Sequence, residues 1–240
     1  GGTFPLNGAN FQITNGASSV AAASFDVRSL RSTTASIDIG QKAYEITRFE
    51  LAETGSKEDL KFKSITLFNN GSTADGDLKN ITLKDQDGNV LAKVDTTTNK
   101  YLTFNLATPA VVPLGTTRVY SVEVDVENGA TRTAQLAVQN DFDVCLEGAS
   151  TSATILTATK AGGTDTSFPI GDASAAAPGT AGSNHITINE GSLTITKDNS
   201  SPSGDITKGG TNLTLAIFKV QAVGEDIELQ TDSTFNMADL

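Results

Sequence analysis

The sequence predicts an all-β protein, an antiparallel β-sandwich built from tandem repeats of about 168 residues. Two observations predict this fold class. Short segments with apolar residues at every second position, as in half-buried strands, alternate with turns rich in Gly, Asn, Asp and Pro. A long block of the chain also recurs near its C-terminus, and no segment has the periodicity of an amphipathic helix.

The block at residues 45–69 recurs at residues 214–236. Phe49 aligns with Phe218, and the aligned apolar positions share a period of two, as expected of repeated strands. A unit of about 168 residues is long enough to bury a hydrophobic core of its own. The recurrence therefore predicts tandem units of one architecture.

This repeat divides the chain into three parts. Residues 1–16 are interpreted as the end of a preceding repeat, because their FQITNG resembles the ITINEG of residues 186–191. Residues 17–189 form the complete repeat, in which 172–183, DASAAAPGTAGS, are predicted to be a flexible loop or spacer. Residues 190–240 supply the first strands of the next repeat. Either a longer chain or another subunit must complete that repeat.

The strands of the complete repeat follow from the alternation in order. They are expected at 25–27, 37–39, 44–51, 60–68, 78–84, 89–94, 101–106, 117–126 and 134–138, with Ile155 in one more. Phe49 breaks the alternation that Tyr44 and Ile46 begin, which predicts a β-bulge. The turn 85–88, with its Asp-Gly pair, predicts a hairpin, because these residues tolerate positive φ angles.

The C-terminal part is predicted to hold strands but no complete domain. The strands are expected at 193–196, 212–220 and 227–229. Nothing in this part corresponds to residues 78–138 of the complete repeat. We therefore expect an apolar face that includes Leu213, Leu215 and Ile217 and that aggregates unless a partner covers it.

Composition and charge exclude several classes of protein. The net charge of −11 repels phosphates and acidic lipids, so we expect neither nucleic acid nor an anionic membrane as a partner. No apolar run is long enough to span a bilayer. Cys145 is the single cysteine, which rules out an intrachain disulfide, and strand alternation places it opposite an apolar face of Phe142, Val144 and Leu146. One Cys and one His also cannot build a usual zinc site.

No residue pattern indicates catalysis. His185 is the only histidine, and it borders the predicted spacer, so a solvated edge residue is favoured over a catalytic base. Glycosidase sites are usually lined with aromatic rings, whereas this chain has 6% aromatic residues and no Trp. The sequence therefore predicts that the chain is not an enzyme and requires no cofactor.

Calcium is the one metal that the sequence leaves open. The Asp85–Gly88 turn differs from an EF-hand loop in the position of its glycine, and a plain hairpin turn is the favoured interpretation. If strands 60–68 and 78–84 pair antiparallel, however, this turn lies near the start of the first strand. Glu58, Asp59, Asp85 and Asp87 then share one end and offer oxygen ligands for calcium, whereas Asp75 lies a strand length away.

Asn-x-Ser/Thr sequons occur at Asn70, Asn80, Asn199 and Asn212. A chain this rich in Ser, Thr and Asn is expected to contain such sequons by chance, so they are no evidence of glycosylation. Asn70 lies in a predicted loop and is the candidate acceptor among them.

Three segments together resemble a known family. They are the KEDLKF and GEDIEL blocks, LKNITLKDQDGNVLA at 78–92, and VYSVEVDVENGA at 119–130. Over most of residues 25–138 this pattern resembles the Ig-like β-sandwich repeats of large prokaryotic surface proteins, of the S-layer, stalk or filament type. The resemblance implies an Ig-like fold, secretion to the cell surface, tandem domains, lattice or fibre assembly, and often calcium or glycans.

The expected function is therefore structural. We expect a cell-surface protein that self-associates, through identical subunits or neighbouring repeats, into a surface layer or an extracellular filament. The alternative is an adhesin, a module on a surface stalk whose loops bind a carbohydrate or a protein. Binding to a glycan array would favour the adhesin, and ordered arrays in negative-stain images would favour the structural protein.

Overall fold

A computed structural model of the chain describes residues 20–28, 36–171, 186–205 and 208–224. These residues form β-strands and no α-helix, with a 3-10 helix at Asp141–Asp143. The all-β prediction is therefore confirmed over the described part of the chain. The predicted repeat end at 1–16, the spacer at 172–183, His185 and the strand at 227–229 all lie outside the described residues.

The strands are numbered β1 to β16 along the chain. Their bounds are β1 Ala23–Val27, β2 Ser36–Asp38, β3 Tyr44–Glu53, β4 Leu60–Asn69, β5 Leu78–Asp85, β6 Val90–Val94, β7 Tyr101–Val112, β8 Thr117–Val126, β9 Thr133–Ala134, β10 Leu136–Ala137, β11 Val144–Gly148, β12 Thr154–Ile155, β13 Thr157–Thr159, β14 Ile186–Asn189, β15 Ser192–Lys197 and β16 Phe218–Val223.

Two larger sheets form the body of the protein. The first is six-stranded, in the order β13-β1-β3-β8-β5-β6. In the second, β4 pairs with β7 along one edge and with β10 and β11 along the other, and β12 follows β11. Two small sheets, β2-β14-β9 and β15-β16, complete the described structure. Pairing is antiparallel except between β1 and β13 and between β2 and β14.

The two larger sheets share one hydrophobic core, which gives the body a sandwich-like form. Phe49 of β3 stacks on Phe25 at 5.1 Å and on Tyr120 at 5.4 Å between ring centroids. Across the core, Phe49 meets Phe62 of β4 edge-on at 6.5 Å. The aromatic rings of both sheets therefore form the centre of the core.

The bulge predicted in β3 is confirmed. The β3–β8 register shifts between Glu45 and Thr47. Ile46 is the extra residue that this shift leaves out of the register, so Ile46, Phe49 and Leu51 all face the core although Ile46 and Phe49 are an odd number of residues apart, each at most 1% exposed. The alternation in the sequence therefore changes phase because the strand does.

The predicted β5–β6 hairpin is also confirmed. β5 and β6 pair antiparallel, and Gly88 has a φ of +87° in the turn between them. The backbone N–H of Gly88 donates to the carbonyl of Asp85 at 3.1 Å. Glycine fits this position because it adopts positive φ without steric cost.

Two strand predictions were wrong in extent. β7 continues to Val112, beyond the expected 101–106. The reason is that β4 pairs with β7 both before and after an irregularity, in which residues 106–109 of β7 have no partner in β4. Pro109 lies in that irregularity, where its missing N–H costs no ladder hydrogen bond. The expected strand 134–138 divides instead into β9, which pairs with β14, and β10, which pairs with β4.

The pairing of β15 with β16 repeats the pairing of β1 with β3. Ile195 lies opposite Val220, and Phe25 lies opposite Leu51. The sequence alignment matches Val220 with Leu51, so β15 takes the place of β1 in an equal register. We call the β1–β3 pair the first hairpin, although β2 lies between its strands along the chain. The first hairpin therefore has a counterpart with the same pairing near the C-terminus.

The C-terminal strand predicted at 212–220 begins later than expected. β16 starts at Phe218, and residues 213–217 belong to no strand. β15 ends at Lys197 because a turn follows, in which Asp198 accepts hydrogen bonds from the N–H and hydroxyl of Ser200 at 2.8 and 2.6 Å. Within the described residues, 213–216 therefore have no strand beside them to pair with.

Candidate assembly interface

The β15–β16 hairpin has one apolar face. Residues directly opposite each other in an antiparallel pair point to the same side. Leu193, Ile195, Phe218 and Val220 therefore lie together, and we call these four side chains the hairpin face. Each is between 41% and 57% exposed. An exposed apolar face of this kind is a candidate for an interaction surface.

The opposite side of the hairpin is polar. It carries Ser192, Thr194 and Thr196 from β15 and Lys219 and Gln221 from β16, with Val223 at the end. All residues of both strands are exposed. The hairpin is therefore amphipathic, with one side suited to water and the other suited to a packed core.

Each member of the hairpin face has a buried counterpart in the complete unit. Their counterparts through the alignment and the register are Ala23 for Leu193, Phe25 for Ile195, Phe49 for Phe218 and Leu51 for Val220. None of these counterparts is more than 3% exposed. The corresponding sides of the two hairpins thus differ: one is buried in the core of the body, and the other is exposed near the C-terminus.

The apolar surface continues into residues 213–217. Leu213 and Leu215 are 50% and 51% exposed, and they align with Tyr44 and Ile46, which are 7% and 0% exposed. The change of phase between these leucines and Phe218 matches the change that accompanies the bulge of β3. The predicted exposure of Leu213, Leu215 and Ile217 is confirmed. Ile217 differs from the two leucines, because it aligns with Arg48 and not with a core residue.

Sequence reasoning named Leu213 and Leu215 but missed the four residues of the hairpin face. The signal was present, since Phe218 and Val220 align with Phe49 and Leu51. Leu193 and Ile195 carry no such signal, because their equivalence with Ala23 and Phe25 rests on the strand register.

A contact between glycines joins the base of the hairpin to the body. Gly224 follows β16 with a φ of +96°, and it lies against the turn after β2. A Cβ atom on Gly40 would lie 3.0 Å from the Cα of Gly224, and one on Gly224 would lie 2.6 Å from the carbonyl oxygen of Ile39. The backbones approach this closely because neither residue has a side chain.

Glu58, the first predicted calcium ligand, is held by donors of the protein itself. Its carboxylate accepts hydrogen bonds from the N–H groups of Ser150 and Thr151, at 2.6 and 2.9 Å, and from the hydroxyl of Thr151 at 2.5 Å. The Thr151 side chain, followed by these backbone donors, lowers the pKa of Glu58 below its usual value of 4.5. Glu58 therefore anchors the turn after β11.

Asp59 and Asp85 also accept hydrogen bonds from nearby backbone. Asp59 accepts from the N–H of Leu114 at 2.8 Å. Asp85 accepts from the N–H groups of Asp87 and Asn89, at 2.9 and 2.8 Å, and from the side chain of Asn89 at 2.9 Å. Burial alone would raise the pKa of Asp85, but these hydrogen bonds outweigh it and lower the pKa.

The topology on which the calcium prediction depended was wrong. β4 and β5 do not pair, because β4 lies in the second sheet and β5 in the first. Among the residues that the structure describes, no three His, Cys, Asp or Glu side chains are grouped to hold a metal ion. Calcium binding by Glu58, Asp59, Asp85 and Asp87 stays a prediction, and the structure shows no assembled ligand set for it.

Asn70, the candidate glycosylation site, is exposed directly after β4. Its side-chain amide donates to Oε1 of Gln135 at 3.1 Å. Modification at Asn70 stays a prediction.

The surroundings of Cys145 differ from expectation at one residue. Cys145 is a free, half-buried residue of β11, between the buried Val144 and Leu146. Phe142 was expected to share the buried face, but it is 67% exposed. The reason is that Phe142 lies in the 3-10 helix Asp141–Asp143, where strand alternation does not hold.

Buried carboxylates lie on the outer side of the first sheet, and sequence reasoning missed them. Glu50 is 3% exposed and forms ion pairs with Arg28 and Lys160, both at 2.6 Å. Asp26 lies opposite Glu50 in the β1–β3 pair and accepts a hydrogen bond from the N–H of Thr164 at 3.2 Å. Burial, the largest influence, raises the pKa of Asp26 above 3.8.

The chain matches no family model and shows no significant similarity to a curated protein. In the described part of the chain, no helix has the length and the apolar character needed to cross a membrane. The function must therefore be argued from the geometry.

Proposed function

We propose that this chain is a structural protein of the prokaryotic cell surface, without enzymatic activity, which assembles through tandem Ig-like β-sandwich units into a surface layer or an extracellular filament. The observation that carries the proposal is the second hairpin. β15–β16 has the register of β1–β3, but its apolar face is open. An exposed apolar face whose counterpart in the body is buried is suited to association.

The composition supports an extracellular setting. The acidic chain has a net charge of −11, which keeps separate molecules soluble and limits non-specific contact. It is also rich in Thr and Ser, as is common among secreted β-proteins.

The proposal is tested by negative-stain imaging of the purified chain Gly1–Leu240, with and without millimolar calcium. We expect ordered arrays or filaments as the concentration rises. Ile195→Glu places a charge on the hairpin face and is expected to abolish the order, while Thr194→Glu adds the same charge to the polar side and should leave it intact. Dispersed particles in every condition would contradict the proposal.

One observation favours an adhesin as the second candidate. A cavity of about 280 Å³ opens near the β5–β6 turn. Its lining combines the charged groups of Asp85, Asp87 and Arg118 with Tyr120 and the apolar Val111. Charged groups that converge beside apolar surface are able to orient a polar ligand such as a carbohydrate. Glycan-array binding that is lost in Arg118→Ala, by particles that form no arrays, would favour this candidate.

A further inference from the structure

We propose that the hairpin face is a homodimer interface, in which two copies of the chain pack Leu193, Ile195, Phe218 and Val220 against the same residues of the partner. The two hairpins then form two layers related by a two-fold axis. The inference rests on the proposed function, since it names the surface through which copies associate. The inference goes beyond the proposed function in predicting that a closed pair forms as the first step of assembly.

The complete unit shows what such a face packs against. The counterpart of Phe218 is Phe49, which is covered across the core by the ring of Phe62, 6.5 Å away. A flat apolar layer that contains an aromatic ring therefore covers the equivalent face in the body. The hairpin face of a second copy is such a layer, because it carries Phe218 among three aliphatic side chains.

Charge favours the hairpin as the meeting point of two copies. Two chains of net charge −11 repel each other over most of their surfaces. The hairpin face carries no carboxylate, and its one charged neighbour on the same side is Lys197 at the end of β15. A long lysine side chain at an edge reaches water while its methylene groups remain packed, so its charge does not oppose the contact.

The area of the contact predicts a weak dimer. Leu213 and Leu215 extend the apolar surface beyond the hairpin face, and each exposes about half of its surface, at 50% and 51%. Packing two such surfaces together removes on the order of 1,000 Å² from water, near the lower limit for specific complexes. We therefore expect dissociation in the micromolar range and a mass that depends on concentration.

The test is sedimentation velocity of the chain Gly1–Leu240 from about 1 μM to about 100 μM, a range that brackets micromolar dissociation. We expect the wild type to pass from monomer to dimer within this range, with arrays forming only at higher concentration. Ile195→Glu and Val220→Glu should each weaken the dimer by at least about tenfold, because a carboxylate would be buried in an apolar layer.

Matched controls carry the same charge on the polar side. Thr194→Glu and Gln221→Glu each alter an exposed neighbour of a face residue and should leave dimerisation unchanged. Because both sets change exposed positions and bring the same added charge, a difference between them reports the face alone. Circular dichroism of all four variants is expected to match the wild type, since none of these side chains is buried.

Several outcomes would overturn the inference. One is a wild-type monomer at every concentration, and another is equal loss of the dimer in the face variants and the controls. A mass that grows without reaching a limit would show an open, head-to-tail contact instead of a two-fold one. A monomer that nevertheless forms ordered arrays would reject this interface and keep the proposed function, whereas a dimer without arrays would reject the function and keep the interface.

Discussion

The β1–β3 and β15–β16 hairpins have equal strand pairing and opposite surroundings. Phe25 and Leu51 are 1% and 0% exposed in the first, and Ile195 and Val220 are 57% and 41% exposed in the second. A hairpin alone is marginally stable in water, so most of its stability comes from the layer that covers it. The comparison teaches that the covering layer, more than the hairpin sequence, separates a core from an interface.

The outer sides of the hairpins differ as well. In the body, Asp26 and Glu50 lie opposite each other and are buried, with Arg28 and Lys160 beside Glu50. The counterparts of these two carboxylates near the C-terminus are Thr196 and Lys219, both exposed. The first hairpin is therefore covered on both sides, and the cover on its outer side buries these two carboxylates.

The largest effect is expected when the core of the first hairpin is opened. Phe49→Ala removes a ring that contacts Phe25, Phe62 and Tyr120, and it should lower the free energy of unfolding by about 3–5 kcal/mol. Urea unfolding followed by circular dichroism measures this change. A loss below about 1 kcal/mol would mean that the sheets do not pack as described.

A smaller effect is expected where the two regions meet. Gly40→Ala places a Cβ atom 3.0 Å from the Cα of Gly224 and forces alanine to adopt a φ of +85°. We expect a loss of about 1–2 kcal/mol from the unfavourable φ, with added strain at the contact. Gly76→Ala is a suitable control, since it shares a positive φ of +94° but has open space around its Cβ position. Equal losses in the two variants would show that the glycine contact contributes nothing.

A pH-dependent effect is expected at the outer side of the first hairpin. Because burial raises the pKa of Asp26 above 3.8, the folded chain binds this proton more tightly than the unfolded chain does. The stabilisation due to this proton is complete below pH 3.8 and is lost as the pH rises through the folded-state pKa. Asp26→Asn should therefore gain stability relative to wild type between acidic and neutral pH, as urea unfolding at several pH values would show. A difference between the two proteins that is constant with pH would contradict this assignment.

The smallest effect on folding is expected at the second hairpin. Phe218→Ala truncates the counterpart of Phe49, yet Phe218 is 54% exposed. We expect the free energy of unfolding of the monomer to change by less than about 0.5 kcal/mol. Urea unfolding at a concentration below dimerisation measures it. A loss similar to that of Phe49→Ala would show that the hairpin face is covered within the monomer.

Local signals in the sequence were sufficient for local features. The Asp-Gly pair predicted the β5–β6 hairpin, and the misplaced phase of Phe49 predicted the bulge of β3. Both features depend on neighbouring residues. The residue types of a turn indicate which φ angles it tolerates, and the spacing of apolar residues indicates the alternation of a strand.

Features that depend on distant pairing could not be predicted in the same way. β4 and β5 follow each other along the chain but lie in different sheets, since sequential strands are only usually neighbours. Glu50 is paired with Lys160, and Glu58 with the 150–151 turn, across separations that no local pattern reports. The hairpin face was not predicted: the repeat aligns Phe218 and Val220 with core residues, but Leu193 and Ile195 needed the strand register.

The parallel pairs of the body give it a mechanical property. β1 pairs in parallel with β13, and β2 with β14, so strands from the beginning of the unit run beside strands from its end. A pull on the chain before β1 and after β14 would act along these strands in opposite directions. Their hydrogen bonds would then be loaded in shear and have to break together, whereas a hairpin pulled open from its ends loses them one at a time. We therefore expect the unit to resist tension along the chain, with a resistance set by its rate of forced unfolding.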